Sequence, residues 1–279
     1  MMPADKHPMK PKIDIPQITP PVMKGIPEGN VKMGTSLEQV AQMLQYEDWA
    51  EEWYTHDLFA AEQPQHNVNI PAFEIATYQV TNAEYFIFVW ATGHRVPQYW
   101  HGFRHADAAK DHPVVGVSYD DTIAYCAWLS KQTGNKYRLP TEAEWERAAR
   151  GDDIRIYPWG DRFENWRSNT LEGNKRATTP VGSYSPGGDS PFGVADMVGN
   201  VWEWINTELR PYPYDANDGR ELVKPDSHCV LRGGSWYYSR KLARCSTREW
   251  VLPNHISELI GFRIARTVEE EEKKSQNDI

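Results

Sequence analysis

Hydrophobic and polar positions along this chain follow helical spacing in a few stretches, and each stretch opens on the same device. Ser36-x-x-Gln39, Thr81-x-x-Glu84, Ser118-x-x-Asp121 and Thr141-x-x-Glu144 each place a hydroxyl ahead of a side chain that can reach back to the cap's own N–H. That pattern predicts four helix starts. Leu37, Val40, Ala41 and Leu44 make a weak amphipathic stripe after the first, and Tyr85, Phe88 and Val89 share a face after the second. Ile123, Cys126, Ala127 and Ser130 line a face after the third, which makes Cys126 a small core residue. Trp145, Ala148 and Ala149 form the stripe after the fourth. Gly93, Gly134 and Gly151 are placed to end the last three helices. Strand-like runs are short, at 72–75, 114–117, 180–184, 230–232 and 261–265. The pattern is that of an α+β chain with a high loop content.

Two further stretches read differently. The run Tyr46-Glu-Asp-Trp-Ala-Glu-Glu-Trp-Tyr54 is acidic and aromatic, fitting either a surface helix docked through its tryptophans or a lid or partner-binding insert. The run from Pro191 to Trp204 sets Asn200 and Glu203 among Val and Trp. Burying an unpaired carboxylate costs on the order of several kcal/mol unless a cation or donors meet it. Glu203 therefore points either to a metal–oxygen site or to a buried pair with an arginine such as Arg232 or Arg263.

Composition narrows the function classes. The chain has 279 residues, 40% hydrophobic and 25% charged, enough for a core that stands without disulfides. Twelve Trp, fourteen Tyr, nineteen Gly and twenty Pro describe aromatic packing under many irregular turns. A net charge of −9 argues against a nucleic-acid groove, which needs clustered Lys and Arg. No run reaches the roughly 18 apolar residues of a membrane span. No apolar stretch follows the N-terminal positive charges, so no signal peptide is read and a cytoplasmic location is the default expectation. Cys126, Cys229 and Cys245 are odd in number and lack C-x-x-C spacing, which fits neither a disulfide framework nor a thiolate zinc site. His66 and the pair His101/His105 carry no metalloprotease pattern and are read, like the other histidines, as structural or solvated. Residues 1–25 form a Pro-rich arm, 26–266 a single domain, and 267–279 a charged tail; arm and tail suit a subunit of a larger assembly.

Several motifs, in order and spacing, resemble the formylglycine-generating enzyme (sulfatase-modifying factor) family. They are Met33-Gly-Thr35, Glu62-x-Pro-x-His66, Gln79-Val-Thr-Asn-Ala-Glu-Tyr85, Pro113-Val-Val-Gly-Val-Ser-Tyr119, and Tyr137-Arg-Leu-Pro-Thr-Glu-Ala-Glu-Trp-Glu146. Tyr157-Pro-Trp-Gly160, Gly193 to Trp204, Leu231-Arg-Gly-Gly-Ser-Trp236 and Ile260-Gly-Phe-Arg263 complete the series. The resemblance implies a loop-rich α+β single domain related to C-type lectins, often with structural calcium. In catalytic members two cysteines after the Gly-Gly-Ser turn bind copper and activate oxygen, converting a substrate cysteine to formylglycine. Here the first of those positions falls on Tyr238 and the second near Lys241 to Ala243, so copper is not expected. A replacement thiol pair would need Cys229 and Cys245 to approach each other.

Ser235 matches the serine beside the oxygen site and Trp204 the tryptophan of its wall, as remnants of that pocket. Calcium is the cofactor the resemblance implies, held by Asn200, Val201 and Glu203. A second site would use Asn169 and Thr170, but its downstream acidic stretch is missing near Gly173. The expected function is a non-catalytic binding or accessory subunit that takes a peptide, glycan or protein partner. Its surface would be Tyr237, Tyr238, Arg240, Lys241, Glu249 and Trp250, the residue types that anchor interfaces. The alternative is an oxygen-dependent oxidoreductase using the same pocket with a different metal or cofactor.

Overall fold

The computed structural model describes residues 18–101 and 109–268. Its helices are α1 (Leu37–Tyr46), α2 (Ala50–Thr55), α3 (Asn82–Thr92), α4 (Tyr119–Thr133) and α5 (Glu142–Arg150). All four predicted capping boxes are formed, at Ser36, Thr81, Ser118 and Thr141. Each satisfies backbone donors that a bare helix end would leave without partners. The strands are β1 (Met23–Ile26), β2 (Gly29–Met33), β3 (His66–Ile70), β4 (Phe73–Ala76) and β5 (Tyr137–Arg138). They continue with β6 (Trp202–Glu208), β7 (Cys229–Arg232), β8 (Arg248–Val251), β9 (Ile260–Gly261) and β10 (Ala265–Thr267). They form two four-stranded sheets, ordered β1-β4-β10-β5 and β8-β7-β6-β9, and the hairpin β2-β3. This is a mixed α+β single domain.

Several local expectations are corrected. Residues 114–117 and 180–184 form no strand. Val114 N–H donates to Val80 O, and Gly116 (φ 78) turns the chain within the first run. The run 261–265 is divided between β9 and β10, which lie in different sheets. In α4, Ile123 and Ala127 face outward, while Thr122, Tyr125, Cys126 and Leu129 are buried. Tyr125 wins the core because its ring stacks on Tyr85 at 5.6 Å and meets Phe262 at 5.4 Å. The arm is shorter than expected, since β1 pairs Met23 to Ile26 with β4. Residues 1–17 and 269–279 lie outside the described residues.

The sequence of α5, EAEWERAAR, is charged, yet all nine residues are buried. It packs on β2, β3, β6 and β7, and arginines from β7, from β8 and from the helix itself meet its carboxylates. Arg232 pairs with Glu146, and Arg150 reaches the other Glu146 oxygen at 3.0 Å. Arg248 holds Glu142 through Nε at 2.7 Å. A second buried pair, Arg244–Glu62, is bidentate at 2.5 and 2.7 Å and also takes hydroxyls from Thr35 and Ser246. Trp49, Trp53 and Phe59 surround the Arg244 guanidinium at 5.3–5.7 Å. The acidic, aromatic segment is therefore docked through its tryptophans.

Candidate functional site

Strand β7 ends at Arg232, and the chain then reverses through Gly233 (φ 100) and Gly234 (φ 77). A Cβ on Gly234 would stand 3.0 Å from Leu242 O and 3.1 Å from Ala243 Cα, so only glycine lets the two arms of this loop close. Beyond the turn, Tyr238 N–H donates to Ser235 O at 3.1 Å and Tyr237 N–H to Ser235 Oγ at 3.4 Å. Ser235 is buried and organises the turn. Trp236 N–H donates to Asn200 O, and Gly199 N–H to Gly233 O, which ties the turn to the loop ahead of β6.

The rings that follow form an angular set. Tyr238 lies 6.1 Å from Trp202 at 68°, Tyr237 lies 5.4 Å from Tyr238 at 89°, and Trp236 lies 5.8 Å from Tyr237 at 90°. Tyr237 is 56% exposed, whereas Trp202 is buried. Burial, then Glu249 and Tyr237, push the Tyr238 phenol above its ordinary pKa, so it stays protonated near neutrality.

Trp204, the tryptophan expected in the wall, lies two residues further along β6. It is fully buried, its indole N–H donates to Val117 O at 3.1 Å, and its ring meets Tyr119 at 6.1 Å. Trp202 is the tryptophan whose ring meets Tyr238. The two tryptophans are spaced i,i+2 and so share a strand face, and only distance from the turn separates their surroundings.

The other expected binding residues divide. Tyr237 and Tyr238 sit together at the turn. Arg240 is turned toward carboxylates, at 2.9 Å from Glu47 and 2.6 Å from Asp48. Lys241 lies over the Trp53 ring at 5.7 Å. Glu249 accepts from Trp250 N–H at 3.0 Å on β8, at the edge of its sheet. Trp250 is 37% exposed and lines a separate cleft with Arg248, Tyr212 and Leu209.

The expected calcium residues are not brought to one cluster. Glu203 makes the alternative contact, a buried pair with Arg263 at 2.7 Å to each oxygen. Trp145 Nε1 and Gln79 Nε2 add donors at 2.9 and 3.0 Å, so both carboxylate oxygens are engaged. Asn200, left-handed at φ 61, spends its amide on Thr179 and Asn169 instead. Val201 is buried between them in sequence. Asn169 and Thr170 are buried, and their side-chain oxygens Asn169 Oδ1 and Thr170 Oγ1 have no partner.

A copper–thiolate centre does not fit. Tyr238 and Ala243 are no sulfur ligands, and Cys229 and Cys245 are buried free thiols. Burial pushes the Cys245 thiol up to about 12 and raises Cys229 further, while Cys229 Sγ donates to Ile205 O at 3.0 Å. Among the described residues, no group of three His, Cys, Asp or Glu side chains is placed to hold a metal ion. His66 accepts from Tyr214 N–H at 2.7 Å and packs on Tyr212, a structural role. His101 is exposed, and His105 lies outside the described residues.

Residues 12–268 match the family described as Sulfatase-modifying factor enzyme 1-like domain. The chain belongs to this family. It is 35% identical over 260 residues to a hercynine oxygenase of Mycolicibacterium thermoresistibile, covering 80% of this chain and 56% of that protein. The chain thus spans about half the length of the hercynine oxygenases it matches. The formylglycine-generating enzyme of Bos taurus is 28% identical, covering 88% of this chain and 75% of that enzyme. Among solved structures, PvdO from Pseudomonas aeruginosa superposes with a TM-score of 0.71 at 29% identity, covering 89% of this chain and 95% of that one.

These relatives correct the expected function. A non-catalytic accessory subunit was the leading expectation, on the ground that the cysteine pair is missing. Hercynine oxygenases similar over 73–80% of the chain, together with PvdO, favour the oxidoreductase alternative instead.

Proposed function

We propose that this chain is the formylglycine-generating-enzyme-like domain of an oxygen-dependent oxidoreductase whose metal or cofactor is not a copper–dithiolate. The similarity to hercynine oxygenases across 80% of the chain carries this reading. The angular ring set beyond Gly234 supports it, because it offers a solvent-facing wall beside the buried Ser235. In this reading Tyr237 and Trp236 present ring faces to the substrate, and Trp202 backs Tyr238 from the core. The neutral Tyr238 phenol can donate a hydrogen bond to a substrate or oxygen species at the turn. A small π-faced or cationic molecule suits ring faces with Glu249 nearby, and hercynine, named for the relatives, is the first substrate to try.

The test is oxygen uptake by protein purified anaerobically, with bound metals measured first. With ferrous or cuprous ion supplied, hercynine should produce substrate-dependent oxygen consumption. Absence of uptake under every metal condition would overturn the reading.

A further inference from the structure

Three of the four capping boxes close on an acid, and these acids are not matched alike. Asp121, of the Ser118 box, is gripped by Arg95 and by His94 Nε2 at 2.8 Å. Glu144, of the Thr141 box, takes Arg138 at 2.7 Å. The buried glutamates Glu62, Glu142, Glu146 and Glu203 also each meet an arginine. Glu84, of the Thr81 box, meets no cation among the described residues. Its Oε2 takes both Thr81 contacts, at 2.7 Å from the N–H and 2.7 Å from the hydroxyl, which leaves Oε1 without a hydrogen bond. Burial pushes this carboxyl above its ordinary pKa, against lowering by the Thr81 N–H and hydroxyl.

Glu84 lines a cleft of about 260 Å³ between α3, α4 and the residues that precede β1. Ile18, Ile87, Trp128 and Leu129 supply its apolar wall, with Tyr125 beside them. The Trp128 ring is half-buried and lies 5.7 Å from that of Tyr125. Among the described residues the Tyr125 hydroxyl makes no hydrogen bond. Burial, then the Glu84 charge, hold this phenol well above its ordinary pKa, so the two polar groups are electrostatic neighbours. Elsewhere in this molecule a carboxylate withdrawn from water is matched by an arginine. An unmatched one beside a phenol and apolar walls is the lining of a ligand site. The cleft is a little smaller than the roughly 300–1,000 Å³ of pockets for drug-sized ligands, which limits its occupant to a small molecule.

We propose that this cleft binds a small organic ammonium ion, with Glu84 as its counter-charge, the Tyr125 hydroxyl as a second polar contact and Trp128 as its aromatic wall. An anion would be repelled by Glu84, and a purely apolar molecule would cover Oε1 without pairing it. A primary ammonium donates to Glu84 Oε1 and to the Tyr125 oxygen, while its carbon frame covers Ile87 and Leu129. The indole face adds a cation–π contribution. The site shares no residue with the turn beyond Gly234, so it stands or falls independently of the oxidation reading.

The experiment is calorimetric titration of the full chain with 2-phenylethylamine near neutral pH. A single saturable phase is expected. The alcohol 2-phenylethanol keeps the ring and loses the charge, and it should bind about tenfold more weakly or less well still. Glu84→Gln keeps the capping box, which glutamine also serves, and should weaken the amine about tenfold while leaving the alcohol nearly unchanged. Ala83→Leu, on the cleft wall, should abolish binding of both by filling the space. Glu51→Gln, an exposed acid of α2, should change nothing. Lack of saturable amine binding would overturn the proposal, as would equal affinity for amine and alcohol, a comparison that needs no variant to fold. A phase that survives Glu84→Gln or Ala83→Leu undiminished places the amine elsewhere and sinks the idea too.

Discussion

Arginine, glutamate and tryptophan serve opposite ends in two regions of this molecule. Around α5 they are sealed: Glu142, Glu146, Arg232 and Arg248 are buried, and Trp145 spends its indole N–H on Glu203. Beyond Gly234 the same residue types are partly in water: Trp236 is half-buried beside the exposed Tyr237, and Arg240 bridges Glu47 and Asp48. The first region is a scaffold whose polar groups find protein partners. The second offers ring faces and one turn without further structural duty. The contrast teaches that the most recognisable motifs, RLPTEAEWE and GFR, encode the scaffold, while chemistry must be sought where such contacts stop.

The sharpest way to break this comparison is to remove a charge from the sealed region. Arg232 touches Glu146, approaches Glu142 at 3.6 Å and donates to the carbonyls of Cys245, Ser246 and Thr247. Arg232→Met leaves the Glu146 carboxylate short of its principal cation. A loss of about 3–5 kcal/mol is expected, read as a lowered urea midpoint at constant slope. A loss below about 1 kcal/mol would mean that the region is more hydrated than its burial implies.

Asp196 is the scaffold's under-compensated charge. Burial raises its pKa from 3.8 to about 6, against lowering by the Gly182 N–H and Arg263, with Glu203 raising it again. A carboxyl whose folded pKa exceeds its unfolded value binds its proton more tightly when folded. Its stabilising contribution is full below about pH 4 and is lost as pH rises through about 6. Asp196→Asn, tolerated at this residue's left-handed φ of 52, should flatten that slope. It should also gain about 1–3 kcal/mol near pH 7.5. Denaturation curves at pH 4, 6 and 7.5 measure both effects, and an unchanged slope would refute the assignment.

A smaller effect probes the start of α5. Thr141 Oγ1 accepts from Glu144 N–H at 3.2 Å, and Glu144 returns the contact to Thr141 N–H at 2.8 Å. Thr141→Ala should cost about 1 kcal/mol in thermal or urea unfolding. A much larger loss would show that the cap also holds Arg138, which grips Glu144 through two bonds of 2.7 Å.

Legibility in the sequence follows the same division. The capping boxes could be read because a cap is local, set by residues three apart. Glu203 could be narrowed to a metal or an arginine, because a carboxylate among Val and Trp demands a partner. Choosing Arg263 required the pairing of β6 with β9, across about sixty positions of sequence. Strands β2 and β3 were not bounded from the pattern although both alternate, with Val31, Met33, Val68 and Ile70 buried against exposed Lys32, Asn67 and Asn69, because alternation over only five residues is a short signal. Which tryptophan meets Tyr238 could not be read, because two tryptophans two apart look alike until the turn is placed. The function was misjudged for a different reason. Missing thiolates exclude one metal chemistry, but they say nothing of what other chemistry the turn supports.

The mildest change in stability should come with the most telling change in activity. Tyr237 is 56% exposed, and its ring meets Trp236 and Tyr238 only edge to face. Tyr237→Ala should move the unfolding free energy by no more than about 0.5 kcal/mol. If the ring wall meets substrate, oxygen uptake should fall through a raised KM, by about tenfold for loss of one stacking or cation–π face. Trp202→Phe provides the contrasting arm, because it removes indole bulk behind Tyr238 from a residue that is 2% exposed. It should cost stability as well as rate. A Tyr237→Ala protein with unaltered kinetics would move the substrate away from this turn and leave both regions as scaffold.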